Sequence, residues 1–208
     1  MKSFNKPANN SFFEIKAPEM VQVPAGYFWM GTSDKQVKRL VETDQWAEDW
    51  VDQGLFKLEQ PQHQIYVQSF EIGRYPVTNL DYYFFIMETN APVPRQWPGF
   101  QFNENEADHP VVGISLKEAL TYCQWISKVL RSPYRLPSEA EWEKSARSSD
   151  ARMYPWGEKF ETWRCNTSES GRRYTNATGI YSPGGDSPYG VTDMAGNIME
   201  FTISPLNP

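Results

Sequence analysis

The sequence predicts an α+β fold in which short antiparallel strands and two to four helices are joined by long loops. Three observations carry this prediction. Capping boxes mark helix starts at Ser115 and Ser138, because each serine is followed three residues later by a glutamate. Short apolar runs bounded by Gly and Pro are typical of strands. Long stretches rich in Gly, Pro, Ser and aromatic residues lie between them and predict loops.

The predicted strands lie in the first third of the chain. Residues 21–30, VQVPAGYFWM, indicate two short strands that turn at Ala25 and Gly26. Residues 64–73 alternate between apolar and polar side chains, which favours one further strand.

Helices are predicted at four places, including the two capping boxes. Residues 36–51 carry apolar side chains at helical spacing and acidic ones opposite, which is typical of a single amphipathic helix on the surface. Thr78 and Asp81 begin a helix that runs through Glu88, and Asn90 suits its end. Behind Ser115 one apolar stripe is predicted to be buried: Leu116, Ala119, Leu120, Cys123, Ile126 and Leu130.

Two long segments are predicted to be loops. Residues 91–110 are rich in Pro and hold Trp97, Phe100 and Phe102, so this loop is either functional or held in place by its aromatic rings. Residues 164–188 are rich in Ser, Thr, Asn, Gly and Pro, which predicts a long ordered loop or a series of turns. Aromatic residues make up 15% of the chain and include eight Trp, a composition that suits loops pinned by large rings.

Length and charge limit the classes of function. The 208 residues suit one domain with a substantial core, predicted at residues 20–208 after a flexible leader at residues 1–19. The net charge of −6 and the pI of about 5.1 argue against nucleic acid and anionic membranes as partners. We find no apolar run long enough for a signal peptide or a membrane span, so the expected location is cytoplasmic.

Several ordered words of this sequence resemble the formylglycine-generating enzyme (sulfatase-modifying factor) family. Together they extend over roughly residues 20–202, and their number and order make the resemblance specific. The words are MVQVPAGYFWMG at residues 20–31, QPQH at 60–63, IGRYPVTN at 72–79, HPVVGIS at 109–115, YRLPSEAEWEKSAR at 134–147, YPWG at 154–157 and YGVTDMAGNIMEFT at 189–202.

The resemblance implies a loop-rich variant of the C-type-lectin-like fold, which hosts both oxidases and binding modules. Catalytic members have a pair of copper(I)-binding cysteines near the C-terminus, after a Gly-Gly-Ser-Trp word that follows the segment matching residues 196–202. This sequence stops at Pro208 without that word, so we expect a domain that is incomplete at its C-terminus and does not bind copper. Cys123 and Cys165 match neither member of the catalytic pair, and each is interpreted as a structural residue.

Calcium is the one cofactor that the sequence favours. The loop at residues 189–202 is rich in oxygen donors, which suit a hard cation that tolerates irregular geometry. The resemblance implies a structural calcium held by the carboxylates of Asp193 and Glu200 and by the main-chain carbonyls of Gly196 and Ile198. It implies a second site only weakly, at Asn166. The alternative is that the polar side chains of this loop make turn hydrogen bonds and bind no ion.

Two functions stay open, and the missing cysteine pair makes catalysis by this chain alone the less expected one. The first is a noncatalytic binding or scaffolding module that presents the loops at residues 91–110 and 164–188 to a protein or other ligand. The second is a fragment or subunit of a copper-dependent formylglycine-generating oxidase, whose active-site cysteines lie on a missing or separate segment. In both cases the strands at residues 21–30 are expected to have an open sheet edge that a protein partner or self-association covers.

Overall fold

Four short strands and five α-helices occur in residues 15–44 and 46–204, the part of the chain that the computed structural model describes. In chain order they are β1 Met20–Val23, β2 Gly26–Met30, α1 Asp34–Thr43, α2 Trp46–Asp52, β3 His63–Val67, β4 Phe70–Gly73, α3 Asn79–Thr89, α4 Leu116–Leu130 and α5 Glu139–Arg147. This arrangement confirms the α+β class with short antiparallel strands. The described part holds one helix more than the predicted maximum of four, because the helix predicted at residues 36–51 is divided.

The division of that helix follows from its charge pattern. Helix α1 has no basic residue in its last turn, and Asp44 adds a negative charge where the helix dipole is already negative. Asp44 is extended, with φ −132° and ψ 113°, while its N–H still donates to the carbonyl of Leu40. The break lets Ala47 of α2 pack with Leu40 and Phe56 in one small buried cluster.

The strands at residues 20–30 do not pair with each other, so the predicted turn at Ala25 and Gly26 does not form a hairpin. Instead β1 pairs with β4 and β2 pairs with β3, both antiparallel, in two separate two-stranded sheets. The single strand predicted at residues 64–73 is likewise two strands, and each joins a different partner. The Lys144 ammonium lies at the junction of β1 and β2, where the hairpin turn was predicted. It donates to the carbonyls of Pro24 at 2.7 Å and Gly26 at 3.1 Å.

The main hydrophobic core lies between α3, α4 and the loop that joins them. Both predicted capping boxes form, at Ser115 and Ser138, and a third forms at the predicted helix start at Thr78; Asn90 ends α3 in the left-handed conformation, as predicted. The buried face of α4 is rotated from the predicted stripe, because Trp125 is buried while Leu116 is 42% exposed. The core consists of Tyr82, Phe85, Ile86, Trp97, Val111, Trp125 and Ile126.

Helix α5 fastens β2 to the rest of the molecule. The Glu143 carboxylate accepts from the N–H of Gly31 at 2.8 Å and pairs with the Arg147 guanidinium at 2.7 Å. Arg147 also donates to the carbonyl of Gly31 at 2.9 Å, so both backbone groups of this glycine are bound by α5. Burial raises the pKa of Glu143, although the hydrogen bond from Gly31 and the charge of Arg147 both lower it.

The two ends of the chain are described only in part. Of the predicted leader, residues 1–14 lie outside the described residues, while Ile15 packs against the main core and Glu19 forms an ion pair with Arg74 at 2.7 Å. After α5 the described residues contain only short 3₁₀ turns and loops. Within the described part, no helix is long and apolar enough to cross a membrane.

Gly31 gives a test of how closely β2 approaches the neighbouring loop. Its φ is +84°, and a Cβ there would overlap the carbonyl oxygen of Glu59 and lie 3.3 Å from that of Pro61. We expect Gly31→Ala to lower the free energy of unfolding by roughly 3 kcal/mol, because strain at positive φ adds to a backbone clash. Urea denaturation monitored by tryptophan fluorescence measures this loss.

Gly99→Ala is the matched control. Gly99 has a similar φ of +93°, but a Cβ there would meet no atom within 4 Å. Its substitution is expected to cost about 1 kcal/mol, from the backbone strain alone. An equal loss in the two variants would mean that the contact between Gly31 and residues 59–61 contributes nothing.

Candidate functional site

The polar loop at residues 189–202 is held against the end of β4 and against the segment at residues 174–180. Thr192 donates to the carbonyl of Arg74 through its N–H at 2.9 Å and through its hydroxyl at 3.1 Å. Asp193 follows in the left-handed region, with φ +56°, and its carboxylate accepts from the N–H of Gly179 at 2.7 Å. The loop is therefore ordered by contacts with distant parts of the chain rather than by regular structure.

Asn197 joins the predicted second calcium residue, Asn166, to this loop. The N–H of Asn197 donates to the carbonyl of Asn166 at 2.8 Å. Its side-chain oxygen accepts from the Asn166 amide at 3.3 Å and from the N–H of Asn176 at 2.9 Å. Gly196 is required here, since its φ is +88° and a Cβ would overlap the carbonyl of Asn166.

The predicted ligand residues thus share one region, but some of their oxygens already serve in turns. The carbonyl of Gly196 accepts from the N–H of Ile198 at 2.8 Å. Within residues 15–44 and 46–204, the side-chain oxygen of Asn166 meets only the hydroxyl of Ser170, at 3.5 Å, and Asn166 donates to the carbonyl of Tyr174 at 2.8 Å. Turn hydrogen bonding, the alternative that the sequence offered, accounts for the side chain of Asn197.

The two acidic residues of the predicted calcium set lie where a negative charge is unfavourable. Burial raises the pKa of Asp193, against hydrogen bonds from Gly179 and Thr192, and the nearby charge of Asp186 raises it further. Burial also raises the pKa of Glu200, whose carboxylate accepts from the indole N–H of Trp142 at 2.9 Å. The charge of Asp193 contributes to the shift at Glu200, so the two carboxylates are close enough to repel each other.

The two cysteines lie in different environments, and both are free thiols. Cys123 is on α4 and partly buried, and burial raises the pKa of its thiol. Cys165 is 2% exposed, and burial raises the pKa of its thiol although a hydrogen bond with Thr167 acts against this. A thiol with a raised pKa is a poor nucleophile and a poor metal ligand, because the thiolate is the reactive form.

A cleft of about 330 Å³ lies where the two predicted long loops meet. The first loop contributes Trp97, Phe102 and Glu106, and the second contributes Thr175. The ring nitrogen Nδ1 of His109 lies 3.0 Å from the Thr175 hydroxyl and so joins the two loops at this place. Aromatic rings hold residues 91–110 in place, which is one of the two predictions made for this loop. The same segment also forms one wall of the cleft.

Several residues that organise these sites could not be identified from the sequence. Trp142, Asn176 and Gly179 bind side chains of the polar loop, and Asn79 binds the indole of Trp97. All four act across gaps of more than ten residues, and no local pattern marks such pairs. The only available signal was that Asn79 and Trp142 lie inside the words that carry the family resemblance.

Comparison with known proteins places these features in a family. The family model described as the sulfatase-modifying factor enzyme 1-like domain matches residues 6–208. The chain is 28% identical to the formylglycine-generating enzyme of Bos taurus over 239 positions, which cover 88% of this chain and 57% of that enzyme. The chain therefore spans little more than half the length of this relative.

Two further proteins are informative. The chain is 28% identical to the inactive C-alpha-formylglycine-generating enzyme 2 of Mus musculus, over 92% of this chain and 70% of that protein. Its fold matches the solved structure of PvdO from Pseudomonas aeruginosa with a TM-score of 0.64 and 26% identity, over 88% of this chain and 69% of PvdO. Because the family model covers nearly the whole chain and the folds agree, this protein belongs to the sulfatase-modifying factor enzyme 1-like domain family.

Proposed function

We propose that this domain is a noncatalytic binding or scaffolding module. The observation that carries the proposal is the state of the two thiols. Cys123 and Cys165 lie on different elements, and burial raises the pKa of both, whereas a copper(I)-binding catalytic pair requires two adjacent thiolates. The similarity to a relative named as inactive supports the same interpretation.

A second candidate is a fragment or subunit of a copper-dependent formylglycine-generating oxidase. The observation in its favour is that the chain spans 57% of the length of the bovine formylglycine-generating enzyme. In that case a missing or separate segment supplies the cysteine pair, and the domain described here supplies the scaffold on which that segment folds.

We also propose a structural calcium at the polar loop, bound by Asp193, Glu200 and the carbonyls of Gly196 and Ile198. The donor set fits a hard cation, because burial and mutual repulsion raise the pKa of both carboxyl groups. No basic side chain is among the groups that shift either pKa, so a divalent cation would relieve this repulsion. Asn166 is the weaker candidate for a second ion, through its side-chain oxygen. The ion would supply only rigidity.

The open sheet edges support a protein partner or self-association. Among the described residues β1 and β2 each pair with a single strand, which leaves one edge of each without a strand partner. On β2 and β3 the rings of Tyr27 and Tyr66 lie 5.2 Å apart and are 65% and 51% exposed, with Trp29 on the same face at 39%. An exposed apolar face beside an open edge is a surface that association would cover.

The first test asks whether the chain oxidises a cysteine. Purified protein is incubated with a Cys-containing peptide, with and without copper(I), and mass spectrometry detects the conversion of the Cys to formylglycine. We expect no conversion in either condition, because neither thiol is a ready thiolate. Conversion that Cys165→Ser or Cys123→Ser abolishes would overturn the noncatalytic proposal. Conversion only after a cysteine-bearing segment is added would favour the second candidate.

The second test concerns calcium and pH. The folded-state pKa of Glu200 is raised, so this group stabilises the fold below its unfolded pKa of about 4.5, and that contribution is lost as the pH rises through the folded pKa. In chelator we therefore expect a melting temperature that falls as the pH rises above about 4.5 and through the raised pKa of Glu200. Saturating calcium should raise the free energy of unfolding by about 1–3 kcal/mol relative to the protein in chelator.

Glu200→Gln keeps the acceptor for Trp142 and removes the charge. We expect this variant to lose both the calcium response and that part of the pH dependence. Glu71→Gln, on the exposed side of β4, is the control and should behave like the wild type. Identical melting curves of the wild-type protein in calcium and in chelator would refute the calcium site.

The third test is the mass in solution, measured by light scattering with calcium and with chelator. We expect a dimer, or a complex with a copurifying protein, since the open edge and the Tyr27 face are then covered. Tyr27→Lys should lower the mass to that of a monomer, whereas Leu58→Lys, at an apolar residue that is 81% exposed elsewhere, should not. A monodisperse monomer that binds no hydrophobic dye would contradict the partner proposal.

A further inference from the structure

We propose that the cleft between the two long loops binds a small organic cation. Its ammonium group faces Glu106, and its apolar part contacts Trp97 and Phe102. The inference rests on the proposed binding role of these loops and adds the site and the chemical class of the ligand.

The aromatic side of the cleft is rigid. The indole N–H of Trp97 donates to the side-chain oxygen of Asn79 at 3.0 Å, and Asn79 donates in turn to the carbonyl of Glu106 at 2.8 Å. Asn79 is 5% exposed, so a single buried amide fixes both the ring and the backbone that carries the carboxylate. The Phe102 ring meets Trp97 at 5.2 Å. These groups are preformed, and a ligand pays little ordering entropy to bind between them.

Charge decides the class of ligand. Of the ten residues that line the cleft, Glu106 is the only one with an ionisable side chain, and no Lys, Arg or His is among them. The described residues include no ion pair to Glu106, and the whole chain carries a net charge of −6. An anionic ligand would meet repulsion without compensation, whereas a cation gains from the carboxylate and from the faces of the aromatic rings.

Size and the remaining polar groups agree with a small molecule. A volume of about 330 Å³ lies at the lower end of the range for small-molecule sites. Gln96, Asn103 and Thr175 add amide and hydroxyl groups to the lining. The Thr175 hydroxyl lies beside His109, which holds it towards the first loop. Few polar groups around an apolar floor are typical of a site that orients one small ligand.

The test uses three probes of nearly equal shape that differ in charge: phenethylammonium, 2-phenylethanol and 3-phenylpropionate. Ligand-observed NMR and titration of tryptophan fluorescence give the dissociation constants with the full chain. We expect phenethylammonium to bind most tightly and 3-phenylpropionate most weakly. Glu106→Gln should weaken binding of phenethylammonium about three- to tenfold and leave 2-phenylethanol unchanged, because only the charge interaction is lost.

Two further variants serve as controls. Phe102→Ala should weaken the cation and the alcohol alike, since it removes apolar contact, and Glu71→Gln changes the net charge equally but lies on β4 outside the cleft lining. The inference is overturned if phenethylammonium does not bind, if the carboxylate binds as tightly, or if Glu71→Gln has the effect of Glu106→Gln. Formylglycine formation by the chain would overturn the noncatalytic proposal and leave a cation-selective cleft intact, so the two failures are distinct.

Discussion

The insertion of helix α5 into the junction of β1 and β2 is the interaction on which the rest of the structure depends. Lys144 is 2% exposed, and its ammonium donates to the carbonyls of Pro24 and Gly26, while burial lowers its pKa. No carboxylate in the described part of the chain pairs with this buried cation, and its hydrogen bonds to the two carbonyls offset the cost of burial. Glu143 and Arg147, one position before and three after, bind both backbone groups of Gly31. Three side chains of one helix thereby contact the chain where β1 ends and at both ends of β2.

The same helix also positions the polar loop. Trp142 donates to the carboxylate of Glu200, and Ala146 packs with Val191 and Met194 in a small buried cluster. The capping box at Ser138 sets the helix start, and the hydrogen-bonded ion pair with Arg135, together with the capping box, lowers the pKa of Glu141 to about 2. Helix α5 contacts the polar loop through both Trp142 and Ala146. These contacts explain how the loop keeps a defined shape although it has no regular secondary structure.

The segment at residues 174–180 connects the polar loop with the cleft. Asn176 and Gly179 hold Asn197 and Asp193, and Thr175, the residue before Asn176, lines the cleft and contacts His109. A structural ion in the polar loop would therefore stabilise one wall of the proposed binding site. If the proposed calcium binds, a preformed wall would lower the entropy that a ligand must lose on binding to the proposed cleft.

The sequence by itself determined the features that depend on neighbours along the chain. The capping boxes, the left-handed end of α3 at Asn90, the α+β class and the family words are all local, and each was readable within a few residues. The position of the polar loop within the YGVTDMAGNIMEFT word was also readable, since Asp193, Asn197 and Glu200 stand among small residues there.

Tertiary structure decided what depends on distant residues. The patterns in residues 20–30 and 64–73 predict strands but not their partners, β1 with β4 and β2 with β3, and Lys144, which contacts the junction of β1 and β2, is more than a hundred residues away. The face of α4 that is buried depends on α3 packing against it, with the Trp125 ring 5.4 Å from Phe85, which periodicity cannot show. The cleft likewise depends on distant contacts, since Asn79 holds Trp97 and Glu106 of the first loop and Thr175 of the second loop contacts His109. A local pattern reflects only interactions between residues that are close in the sequence. Strand pairing and the packing of loops depend on contacts between distant residues, which such a pattern does not contain.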